Sequence, residues 1–421
     1  MNRKLLYLLC MFLLAFTELK AEEKDSLQHF SANKKVIYSF IIQDSPARLF
    51  TMRQFDENFL SGYRLYSRQV GNYFSPGMNY LIQAVTSFVI FIPLTHEEGH
   101  RSILVSRNIG SISQPFFMSR RGGYIEGVTD NSLKKLRDTD FPNFARLYTS
   151  GLESDYMLTH REETLFAFEK AKFPSLMVEY LMRKAMMLQY YLIGFIKYDV
   201  DKTEEANELD RDIVGNDVYG IVRHLYRPNM AFQRYTRYAD LTPEEVSYVR
   251  KLGYRSLLNL LNLNLIGISN VRISNSLSIS IGMGHAMSPF GDFTDENLWL
   301  VCGKKWLIEA YVRHYENRNH TFLAGGAGIK NYPLTERFIT SLNVHLWNQP
   351  LNLGFNDSES KFGGAVEWVG RYFFLTHRGL QQKGISIDLG LIYKTAGFLP
   401  EEVNMRKHLG VKIGTSFALD K

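Results

Sequence analysis

From Val271 to the end of the chain, apolar residues recur at every second position, and this alternation limits the carboxy-terminal part to pleated strands. In the first run Val271, Ile273, Leu277, Ile279, Ile281 and Met283 point one way, while Arg272, Ser274, Ser276, Ser278, Ser280 and Gly282 point the other. The same period returns in Trp306, Ile308, Ala310 and Val312; in Phe338, Thr340, Leu342, Val344 and Leu346; in Ile385, Ile387, Leu389, Leu391 and Tyr393; and in Leu409, Val411, Ile413, Phe417 and Leu419. Turn-rich spacers separate the runs, which predicts an antiparallel array of about eight strands.

A soluble sandwich buries its apolar face, whereas a membrane barrel turns that face to lipid and fills its lumen with small and polar residues. Strands of about ten residues and frequent glycine and serine on the polar face favour the barrel. The expectation is therefore an antiparallel β-barrel over residues 266–421, set in the outer membrane, with a soluble β domain as the alternative.

The chain begins Met1-Asn2-Arg3-Lys4, and Leu5 to Phe16 is an apolar run too short for a spanning helix, so residues 1–21 read as a secretion signal. Removing that segment takes Cys10 and leaves Cys302 alone, which excludes an intrachain disulfide and a cysteine metal site. The net charge of +6 is modest for 421 residues, and the basic residues are scattered, so nucleic acid is not an expected partner.

Residues 22–265 read as a mainly helical domain, giving the whole chain an α+β class. Met78 to Ile92 is strongly apolar and suits a buried helix; Pro93 then opens a new one that runs to about Arg107. Asp140-Phe141-Pro142 starts a helix reaching Phe168, Ser175 to Lys197 forms the next, and Thr242-Pro243-Glu244-Glu245 starts another. Tyr63 to Tyr73 reads as irregular, and Glu204 to Gly220, which is rich in acids, as a solvated loop.

The chemistry concentrates in His96-Glu97-Glu98-Gly99-His100 on the helix opened by Pro93. Histidines one turn apart project from one helix face and can share a cation, with Glu97 beside them to take a proton from water. Zn²⁺ is the expected cofactor, because it lowers the pKa of bound water toward about 7 and polarises a carbonyl. A third ligand is needed, and the segment Ser150-Gly151-Leu152-Glu153-Ser154-Asp155 offers Glu153 first, with Asp155 and His160 as substitutes. Gly151 would let the two helices approach closely, and Asp155 could instead orient a ligating histidine through its free N–H.

These segments resemble the zinc metallopeptidases of the gluzincin type, in which HExxH is followed by a glutamate ligand on a later helix. The resemblance implies His96, His100 and Glu153 as ligands, Glu97 as general base, Asp155 as the acidic residue after the third ligand, and a peptide or protein as substrate. Between the two ligand helices, Pro115 to Ser119 and Tyr124 to Val128 read as a hairpin around Gly122-Gly123. Its edge, with Tyr124 and Ile125, could receive an extended peptide by strand addition.

Three functions are consistent with these residues. The first is a zinc metallopeptidase of the bacterial cell envelope, with its helical domain in the periplasm. The second is a non-catalytic outer-membrane barrel for transport or assembly. The third is an intramembrane protease whose Met78 to Ile92 helix enters a bilayer.

Overall fold

The computed structural model describes residues 35–46, 50–116, 122–199, 204–303, 305–376 and 384–420. The expected signal, residues 1–21, lies outside these, as does the stretch 117–121 of the expected hairpin. The architecture is α+β: strand β1 (Lys35–Ser45), a helical half, then a long run of antiparallel strands.

The helical half comprises α1 (Met52–Tyr73), α2 (Pro76–Ser106), α3 (Asp130–Thr139), α4 (Phe141–Ala167), α5 (Phe173–Ile196), α6 (Asp217–Tyr226) and α7 (Pro243–Ser256). Helix α1 takes in the segment expected to be irregular: Phe55, Phe59, Tyr63, Tyr66 and Val70 recur every three or four residues, and Thr51 caps its start by accepting from the Gln54 N–H. The boundary expected before Pro93 is absent. A single π-turn at Ser87–Phe91, with the Ile92 N–H bonded to the Ser87 carbonyl, carries the helix past the proline that lacks an N–H.

Between the helices, β2 (Ile112–Gln114) pairs with β3 (Tyr124–Glu126), so the first strand of the hairpin lies earlier than expected. The main sheet contains β1 and β4 (Val271–Ser274), β5 (Leu277–Ser288), β6 (Gly291–Cys302), β7 (Trp306–Glu316), β8 (Thr321–Pro333), β9 (Phe338–Pro350), β10 (Ser360–Thr376), β11 (Gly384–Lys394) and β12 (His408–Asp420). It is ten-stranded, in the order β1-β12-β11-β10-β9-β8-β7-β6-β5-β4. Among the described residues no ladder joins β1 to β4, so the sheet is open and not the closed barrel expected. Alternation fixes the face of each residue and the pairing of neighbours, but not whether the first and last strands meet.

Part of each edge of the sheet is met by something other than a strand, while the short β4 is exposed. Along β1 the backbone groups facing away from β12 bond to one face of α1. Asn58 donates to the Ile41 carbonyl at 2.9 Å and accepts from its N–H at 2.7 Å. Ser61 does the same for Ser39, at 2.7 and 3.0 Å, while Gln54 reaches the Ile42 carbonyl and Arg64 the Ile37 carbonyl. Alternate strand residues advance by about 6.6 Å and a helical turn by about 5.4 Å, close enough for α1 to follow β1 over this distance. On the other edge, beyond β4, Leu261 accepts from the Met283 N–H, and the Asn259 side chain bonds both backbone groups of His285.

Helix α4 runs against the polar side of the sheet, with Tyr156 donating to Asp295, His160 paired with Glu309, and Thr164 accepting from Trp299 Nε1. Between α1, α4 and the sheet lies a cavity of about 320 Å³, lined by charged residues including Arg53, Arg161, Lys330, Glu367 and Asp388.

Replacing Asn58 with leucine removes both of its hydrogen bonds to Ile41. The expected loss is about 1–3 kcal/mol of stability, read as a lower midpoint in denaturant unfolding. An unchanged midpoint would mean that α1 does not hold the sheet edge.

Candidate metal centre

The site starts from two glycines. At Gly99 on α2 an added Cβ would stand 2.6 Å from the Ser150 carbonyl oxygen, and 3.2 Å from the Gly151 Cα, so α2 and α4 cross with backbones in contact. One turn of α2 on each side of this crossing is fixed by tertiary packing, and His96 and His100 both end up buried against α4.

The two imidazoles are oriented from behind. His100 Nδ1 donates to the Leu147 carbonyl at 2.6 Å, because a carbonyl can only accept. His96 Nδ1 lies 2.8 Å from Asp155 Oδ2, and Arg183 in turn donates to Asp155 Oδ1. With both Nδ1 atoms taken up as donors, the Nε2 atoms are the ones left for a metal. They face each other at 3.2 Å, and Asp217 Oδ2 stands 3.0 Å from His96 Nε2 and 3.5 Å from His100 Nε2.

At these distances the three atoms share either protons, with the imidazoles donating to Asp217, or a metal cation. A tetrahedral zinc with bonds of about 2.0–2.1 Å has ligand-to-ligand edges of about 3.3–3.4 Å, close to this triangle. Space for a cation would come from Gly151: a Cβ there would lie 2.5 Å from both Nε2 atoms. The donor set of two imidazoles and a carboxylate suits zinc. Burial pushes the Asp217 carboxyl up, but His100 and His96 beside it more than reverse this and hold it below the ordinary carboxylate range.

The third member of the triangle is thus Asp217, which lies in the segment expected to be a solvated loop. It is buried at the first turn of α6, where Asn216 caps the helix by accepting from the Tyr219 N–H. The signal was present in the sequence: a capping asparagine followed by Val218, Ile221, Val222 and Leu225 at helical spacing.

Glu153 is placed elsewhere. Two residues after Gly151 it points to the opposite side of α4, where Arg146 binds it through two hydrogen bonds of 2.6 and 3.0 Å and the Glu401 N–H donates to it. Asp155, four residues after Gly151, returns to the metal side and orients His96. His160 lies beyond, at 2.6 Å from Glu309 on the cavity side.

Glu97 lies beside the loop that enters β3, where an added Cβ on Gly123 would stand 3.1 Å from Glu97 Oε1. The Tyr190 ring, on α5, stacks on His96 at 4.9 Å and 18°. No residue signal pointed to Tyr190, since it is one aromatic among many on an apolar helix.

The expected peptide-binding edge is filled by the chain itself. Ile125 is fully buried in the helical core, and its carbonyl accepts from the Ile213 N–H at 2.9 Å. The Gly127 N–H donates to the Leu209 carbonyl, so residues 209–213 lie along the side of β3 away from β2. Tyr124 is half-buried. Side-chain alternation identifies a strand but not what occupies its edge.

Asp155→Asn is expected to lower zinc affinity by about 10–100-fold, as for other residues that orient a ligating histidine, measured by competition with a chromophoric chelator. Gly151→Ala is expected to abolish zinc retention with helix content preserved by far-UV circular dichroism. Retention of zinc by Gly151→Ala would place the ion elsewhere. No family model matches this chain and no curated protein matches it, so its function is read from the geometry of this centre.

Proposed function

We propose that this chain is a zinc-dependent hydrolase of peptide bonds, with His96, His100 and Asp217 as ligands and Glu97 as general base. The observation that carries the proposal is the convergence of His96 Nε2, His100 Nε2 and Asp217 Oδ2 on the space left by Gly151, with Glu97 next to the first histidine. Bound zinc supplies Lewis acidity and brings the pKa of water toward about 7.

The chain's own groups divide the remaining work. Glu97 accepts a proton from the attacking water and returns it to the leaving amine. Tyr190, whose ring lies against His96, can donate its phenol proton in a hydrogen bond to the oxygen that gains charge as the carbonyl carbon becomes tetrahedral. Asp155 and the Leu147 carbonyl hold the imidazoles in one tautomer, and Arg183 steadies Asp155. The third member of the cluster, Asp217, is an aspartate on a different helix from the glutamate that the gluzincin resemblance implies, and Asp155 precedes it instead of following it, so the likeness is confined to the two histidines and the base.

Elemental analysis of protein purified without a metal-affinity resin tests the proposal. The expected result is close to one zinc per chain in the parent, none in His96→Ala or Asp217→Ala, and full content in Glu97→Gln. The Glu97→Gln protein should hydrolyse a casein or peptide-library substrate about 10²–10⁴-fold more slowly than the parent. A parent that binds no zinc when it is supplied overturns the proposal.

A further inference from the structure

The polarity of the sheet is inverted relative to a water-soluble fold. Its outward face carries Leu323 and Ile387, both 59% exposed, with Leu342, Val344, Leu346, Leu389, Ile413 and Phe417 also exposed. No Asp, Glu, Lys or Arg is among the outward mid-strand residues of β8, β9, β11 and β12. The opposite face is buried and, beside an aromatic cluster that includes Phe293, Tyr315 and Trp347, carries paired charges: Asp295 with Arg313, Asp388 with Ser386 and Arg371, and Lys412 with Glu367. Burying ion pairs while exposing branched aliphatics is unfavourable in water, and it is the arrangement that hydrocarbon surroundings select.

A second observation is independent of side-chain polarity. In water, the open edges of a sheet have their backbone groups satisfied by solvent; in hydrocarbon, each such group must find a partner within the protein. Here the outward-edge groups of Ser39 and Ile41 are bonded by α1, and those of Met283 and His285 by Leu261 and Asn259.

Packing continues from one sheet edge to the other through the helices. Helix α1 packs on β1 and on α2, α2 packs on α5, α5 on α7, and α7 and the turn after it on β5. The first half of α2 presents Met78, Leu81 and Val85 outward, spaced as one helix face, with Leu81 57% exposed. Residues Pro76–Ser106 are long and apolar enough to cross a bilayer. Strands of 11 to 13 residues at about 3.3 Å per residue, tilted as in barrels, match a hydrocarbon layer of about 25–30 Å.

We infer that the occupant of this outer surface is a phospholipid bilayer, which the chain spans as a composite wall of ten strands completed by helices α1, α2, α5 and α7 in place of further strands. A second copy of the chain or a protein partner would cover one side, whereas the apolar face extends across β7 to β12 and reappears on α2. The inference does not depend on the metal centre, whose zinc content is measured separately on the same protein.

Single cysteines at Leu346, Leu389 and Leu81, and at exposed Asn319 in the turn after β7, are introduced with Cys10→Ser and Cys302→Ser and carry a nitroxide label. The full chain is reconstituted into vesicles of phosphatidylethanolamine and phosphatidylglycerol and floated on a density gradient. The expected result is co-flotation, with the ratio of oxygen to nickel-chelate accessibility several-fold higher at Leu346, Leu389 and Leu81 than at Asn319. Failure to float, or a ratio at Leu346 and Leu389 equal to that at Asn319, overturns the bilayer. An oxygen-accessible sheet with Leu81 indistinguishable from Asn319 overturns the helical part of the wall. A detergent-free soluble oligomer that shields Leu346 and Leu389 overturns the proposal in favour of self-association.

Discussion

The crossing of α2 over α4 at Gly99 and Gly151 is the contact on which the rest of this molecule depends. Helices usually pack at axial separations of 8–10 Å set by their side chains, and only glycine on both sides allows the backbone contact found here. That approach presses the two histidines against α4, where Leu147 and Asp155 accept from their Nδ1 atoms, and leaves their Nε2 atoms 3.0 and 3.5 Å from Asp217 Oδ2, beside the space that a methyl group on residue 151 would fill. A π-turn at Ser87–Phe91 lies just upstream and carries the helix through Pro93 into the motif.

Helix α4 carries consequences on two sides. Its Gly151 and Asp155 face the histidines of α2, while Arg146, Tyr156, His160 and Arg161 bind the sheet, its turns or their carboxylates. These buried charges are paired and hydrogen-bonded, which is the condition for keeping them out of water. An interior built this way, with the charged pairs beside the aromatic cluster of Phe293, Tyr315 and Trp347, leaves the aliphatic residues of the strands to face outward, so that one helix serves both the histidine cluster and the inner side of the sheet.

Much of this was legible in the residues. The alternation of Leu409, Val411 and Ile413 with Gly410, Lys412 and Gly414 identified β12 and its two faces, and the HEEGH run identified the histidines because their spacing matches one helical turn. Asp217 was missed because acidic density around Glu204 to Asp212 outweighed the Asn216 cap in judging the segment. Glu153 was preferred because it is a glutamate in the right segment, yet two residues of helix turn it about 200° away from Gly151.

The sequence by itself determined the periods: which residues lie on strands and helices, which faces are apolar, and that His96, Glu97 and His100 share one helix, since all of these follow from local backbone geometry. The tertiary structure decided what meets across the chain. The pairing of Asp217 with residues more than a hundred positions earlier, the burial of Glu153 against Arg146, the filling of β3's edge by residues 209–213, and the sheet left open with α1 along its first strand all depend on long-range packing, which no local repeat encodes.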